Sequence, residues 1–167
     1  MKKNYSVFGI TALFLSLSSL GEASATATQN LTMIINSTSN ITVSGNPATL
    51  SVTLNPDGTG NAVDNSTTYT VVSNTGVKGS LKVTGQITSG GDMPTNTTLT
   101  ANLASKAGTS AGALALNSTK TVDLVTALST LLSDTGAISY GFSVVNGWTV
   151  AAQTLSRTVT LTLTSGS

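Results

Sequence analysis

Apolar and polar residues alternate strictly near the end of this chain. Leu155, Arg157, Val159, Leu161 and Leu163 fall on one face of an extended strand, and Ser156, Thr158, Thr160, Thr162 and Thr164 fall on the other. Sustained period-two patterning of this kind predicts a half-buried strand. The alternation also marks Leu31-Thr32-Met33-Ile34-Ile35, Ile41-Thr42-Val43, Leu50-Ser51-Val52-Thr53-Leu54 and Tyr69-Thr70-Val71. It recurs in Leu81–Ile87, Leu99–Leu103 and Ile138–Val144. Between these runs stand Gly45-Asn46-Pro47, Asn55-Pro56-Asp57-Gly58, Asn74-Thr75-Gly76, Gly90-Gly91-Asp92 and Asn146-Gly147. Such residues supply positive φ or a preset φ, which is turn chemistry. Short strands separated by turns predict an all-β, antiparallel sandwich or barrel of about seven to nine strands. One face of each sheet packs and the other, rich in Thr and Ser, meets water.

One stretch breaks the period. Across Thr121–Asp134 the apolar residues are Val122, Leu124, Val125, Leu128, Leu131 and Leu132. Spacings of three and four fit a helix face. The expectation is a strand start at Thr121 and a short helical turn over 127–132, followed by Gly136.

The beginning of the chain reads as a removable leader. Lys2 and Lys3 form a positive n-region, Val7–Leu20 an apolar stretch, and Ala23-Ser24-Ala25 a small–x–small cleavage pattern ahead of Thr26. The apolar run is about 14 residues, short of the ~20 a helix needs to span a bilayer. Residues 1–25 are therefore expected to be a cleaved signal peptide. Residues 26–36 form an N-terminal strand, and 37–167 the β domain. The expected location is exported: periplasm, extracellular space or cell surface, with no stable membrane insertion after cleavage.

Charge removes several functions. After the leader, Lys78, Lys82, Lys106, Lys120 and Arg157 balance Asp57, Asp64, Asp92, Asp123 and Asp134. A neutral chain offers no basic face for phosphates, so no nucleic-acid partner is expected. The chain has no Cys and no His, which removes disulfides, the Ser–His triad, thiol nucleophiles and the usual zinc ligand set.

The remaining candidates are weighed against plain structural roles. Ser80/Lys82 and Ser118/Lys120 have dyad spacing on a strand, but nothing desolvates either lysine. The five aspartates lie singly, mostly beside Gly or Asn, which is turn placement rather than an acid–base pair. Asp57-Gly58-Thr59-Gly60-Asn61 with Asp64 gathers calcium-type oxygens, without EF-hand spacing or a bidentate Glu. A hairpin loop, with Pro56-Asp57-Gly58 as its turn, is the favoured reading of them. Six Asn-x-Ser/Thr triplets after the leader, at Asn30, Asn36, Asn40, Asn65, Asn96 and Asn117, are expected by accident in so Asn- and Thr-rich a chain. Tyr140 and Trp148 are the aromatic residues available to stack on a sugar. Lys82 or Lys120, Asn102 or Asn146, and Asp123 are the residue types an isopeptide crosslink would use. No catalytic, cofactor-binding or metal residue is assigned, and no enzyme activity is expected.

The alternating segment Gln29–Ile35 and the long final run Thr158–Ser167 together resemble cysteine-free subunits of bacterial fimbriae and surface fibres. Met93-Pro94 and Val122-Asp123-Leu124-Val125 look like a broad group of secreted bacterial sandwich proteins. The resemblance implies an immunoglobulin-like fold. It also implies that an N-terminal strand of one subunit completes the sheet of the next, which makes 26–36 the candidate donor strand. The expected function is a non-catalytic structural subunit of a surface fibre, pilus or envelope layer, with itself or other fibre subunits as partners. The alternative is a secreted adhesin or carbohydrate-binding module.

Overall fold

The computed structural model describes residues 29–75 and 80–166. The expected leader and its cleavage point lie outside these residues, as does Lys78. Of the described residues, 29–34 belong to one unit and those from Ile35 onward to a second.

The second unit is all-β. Its strands are β1 (Ser39–Val43), β2 (Gly60–Asn74), β3 (Leu81–Ser89), β4 (Thr97–Leu103), β5 (Thr109–Ser110), β6 (Leu114–Ala115), β7 (Val122–Leu128), β8 (Leu131–Val144) and β9 (Thr158–Ser165). They form a five-stranded sheet ordered β1-β2-β8-β4-β6 and a four-stranded sheet ordered β5-β7-β3-β9. Every pairing is antiparallel.

Alternation decides what enters the core. On β2, Thr67, Tyr69, Val71 and Ser73 are buried while Thr68, Thr70 and Val72 are not. On β4, Leu99, Ala101 and Leu103 point inward, and on β8 Ile138 and Tyr140 do so. Leu81, Val83 and Ile87 of β3 meet Leu124, Val125 and Leu128 of β7 in the same cluster. Each such side chain contributes about 1.5–3 kcal/mol by leaving water.

Irregularities in the ladders explain where the simple period fails. On β2 two residues, Asn65 and Ser66, stand against one on β8, so the inward parity flips between Asp64 and Thr67. β7 carries two such shifts against β3. Thr126 and Ala127 lie between Val125 and Leu128 where β3 has only Lys82, and Ala127 sits at φ 56. A bulge inserts residues into one strand and breaks its period of two. The three-and-four spacing of Leu124, Val125 and Leu128 is thus bulged strand. The expected helical turn over 127–132 is not formed. Instead Ser129 and Thr130 carry the chain from the four-stranded sheet into the five-stranded one.

Two other expectations change. Leu50–Leu54 joins no ladder, although Leu50, Val52 and Leu54 are half-buried and Ser51 and Thr53 exposed. It packs closely enough that a Cβ on Gly60 would meet Val52 Cγ1 at 2.5 Å. The last strand begins at Thr158, so Leu155 and Arg157 lie before it. The turn at Asn55–Gly58 forms as expected, with Gly58 N–H donating to Asn55 O at 2.9 Å and Gly58 at φ +79.

Candidate functional site

The feature that the core leaves unused is a segment and an edge. Leu31, Met33, Ile34 and Ile35 are 77%, 81%, 79% and 89% exposed. They belong to no strand. The chain is pinned just after them: Asn74 donates its amide N–H to Asn36 O at 3.1 Å, accepts from Thr38 N–H, and donates its backbone N–H to Thr38 O at 2.9 Å.

The edge is β9. It pairs with β3 alone. Its inward residues Val159, Leu161 and Leu163 pack against the core but are only partly buried. β1 is the edge of the other sheet and approaches β9. On β1, Ile41 lies opposite buried Val71 and Val43 opposite buried Tyr69. Both therefore face inward, yet Val43 remains 53% exposed. Two neighbouring edges thus present apolar side chains with incomplete cover. Thr158–Ser165 contains no Pro and no charged residue, the devices that ordinarily blunt an edge against pairing.

The buried polar groups form a separate network. Asp134, 4% exposed, accepts from Ser105 Oγ at 2.7 Å and Lys106 N–H at 3.4 Å. Tyr69 donates its hydroxyl to Ala104 O at 2.9 Å and stands 3.3 Å from Asp134 Oδ2. Burial, reinforced by the Asp134 charge, pushes the Tyr69 hydroxyl up to about 12. A Cβ on Gly136 would lie 1.7 Å from Ala104 O and 2.8 Å from Tyr69 Cε1. The network therefore fastens the chain around Ala104–Lys106 onto β2 and β8. A shallow cavity of about 350 Å³ opens beside it, lined by Thr68, Ser105, Lys106, Thr135 and neighbours.

The other sequence candidates are distributed as follows. Lys82 and Asp123 meet across β3 and β7 in a 3.2 Å ion pair whose side chains are 26% and 47% exposed. Asn102 accepts from Ser110 Oγ, and Asn146 occupies a left-handed turn. The described residues bring neither of them to that pair in any hydrogen bond. Asp57 accepts from both Thr59 N–H and Thr59 Oγ1, at 2.9 and 2.7 Å, which holds its carboxyl below the usual range. Asp64 caps its own bulge by accepting from Ser66 N–H and Oγ. Among the described residues no group of three acidic, His or Cys side chains is placed to hold a metal. Tyr140 is buried and Trp148 is 68% exposed, so the two do not form one stacking surface.

No family model, no curated protein and no solved structure matches the chain. The geometry alone carries the functional reading. The sequence singles out the 31–35 segment but not the β9 edge, because incomplete cover of β9 depends on which strands neighbour it.

Proposed function

We propose that this protein is an exported, non-catalytic structural subunit of a bacterial surface fibre, pilus or envelope layer, built on an immunoglobulin-like sandwich. The observation that carries this is the alternating segment Leu31–Ile35, standing outside every described ladder with its apolar residues exposed. Exposed apolar segments of this kind mark interaction sites. The open β9 edge supplies a matching surface in a second copy. Main-chain hydrogen bonds to a free edge give affinity, and alternate side chains entering between β1 and β9 give specificity. Leu31, Met33 and Ile35 have the same period as Val159, Leu161 and Leu163. The lack of Cys and His leaves a fold held by burial and sheet bonding, suited to a passive building block.

The test is sedimentation velocity of the chain from residue 26 onward and of a variant lacking 26–36. The longer chain is expected to form concentration-dependent oligomers and the shorter to stay monomeric. Equal monomeric behaviour of both at high concentration overturns the reading, as does assembly that survives the deletion.

A further inference from the structure

We propose a carbohydrate-binding platform at the loop end that carries Trp148, shaped for the flat face of an equatorial pyranose such as glucose or N-acetylglucosamine. Three loops are locked together there. Gly147 N–H donates to Gly58 O at 2.6 Å, joining the loop before β2 to the one after β8. Val145 N–H donates to Asn96 O at 2.9 Å, and Asn96 Nδ2 donates to Thr149 Oγ1 at 2.9 Å, adding the loop before β4. The turn Gly147–Thr149 closes through Val150 N–H to Gly147 O at 3.0 Å. Gly58, Asn96 and Asn146 all hold positive φ. Left-handed backbone at non-glycine residues costs energy and gathers where geometry is used.

This scaffold fixes an exposed indole. A Cβ on Gly58 would lie 2.8 Å from Trp148 Nε1 and 3.0 Å from Cδ1, so the pyrrole edge rests on the Gly58 backbone. The side chain nevertheless remains 68% exposed. A large apolar ring held in place and left in water is a ready anchor for a ligand. The same three loops carry hydrogen-bonding groups: the Asp57 carboxylate, the Asn55 amide, the Asn96 amide and the Thr149 hydroxyl. The stretches that meet there, 55–59, 94–96 and 145–150, contain no Lys or Arg, so they hold no cation aimed at a phosphate or an anionic lipid surface. A neutral ligand with one apolar face and a rim of hydroxyls meets both halves of this arrangement. The axial C–H bonds of a pyranose lie on the indole, and its hydroxyls reach the carboxylate and amides.

Trp148 is the only tryptophan in the chain, so its emission reports the site directly. Cellotetraose and chitotetraose are titrated to about 10 mM, where weak sugar affinities on the order of 0.1–1 mM saturate. At least one is expected to shift the emission saturably. By calorimetry, Trp148→Ala is expected to bind at least about tenfold more weakly, with an unchanged unfolding midpoint because the side chain is exposed. Trp148→Phe is expected to fall between the two. Flat emission with both oligosaccharides overturns the proposal. So does undiminished calorimetric binding by Trp148→Ala, or a shift seen only with phosphatidylglycerol vesicles. Self-assembly is read independently by sedimentation and is untouched by any of these outcomes.

Discussion

Leu103 and Leu161 both occupy inward positions of alternating strands, but their surroundings differ. Leu103 lies on β4, with β8 on one side and β6 on the other, and is fully buried. Leu161 lies on β9, which has a partner on one side only, and is partly buried. Alternation chooses the face a residue occupies; the place of the strand in its sheet decides whether that face is covered. The centre of the five-stranded sheet is therefore a finished interior, and the β9 edge is only partly covered.

The largest expected effect lies in the finished region. Gly136→Ala puts a methyl group onto Ala104 O and the Tyr69 ring, and is expected to cost at least about 3 kcal/mol in urea unfolding. Leu103→Ala is expected to cost about 3 kcal/mol and Leu161→Ala roughly half as much. Equal losses would erase the distinction between the two regions. Saturation of β9 with a peptide of residues 26–36 should raise the cost of Leu161→Ala toward that of Leu103→Ala, which sharpens it.

Tyr69 gives a pH signature of the interior. Its folded value is raised, so the fold favours the neutral hydroxyl. That contribution is complete below the ordinary tyrosine value of 10.0 and is lost as pH rises from there through about 12. Unfolding midpoints are expected to drop between about pH 10 and pH 12, and Tyr69→Phe to remove this share of the drop. The same variant forfeits the bond to Ala104, at about 1 kcal/mol. The smallest effect is expected at Ala127, whose φ of 56 suits glycine better. Ala127→Gly should stabilise by under about 1 kcal/mol, seen as a small rise in midpoint.

Much of the strand content was legible because Tyr69, Leu81, Leu99 and Ile138 each lie in a local period-two run. β7 was legible only at its start near Thr121, since the residues that break its period further on belong to bulges set by pairing with β3. The step from β7 to β8 between sheets was not legible, because Leu128 and Leu132 lie near one another in sequence while their strands pair with different partners. Leu50–Leu54 kept its alternating burial but gained no ladder, since periodicity records a buried face and not a hydrogen-bonded neighbour. At the candidate site, the alternation of Leu31–Ile35 was visible in the sequence, but the segment joins no described strand. The incompleteness of β9 was not visible there, because it depends on strand order.

Hydrogen exchange on the domain lacking 26–36 tests the strand-donation claim most directly. Backbone amides of Thr158–Ser165 should gain protection when a peptide of residues 26–36 is added, while amides of β2 and β8 change little, and the gain should vanish for a peptide with Met33 and Ile35 replaced by Asp. Protection that appears elsewhere, or that is indifferent to those replacements, would contradict β9 as the acceptor of that strand.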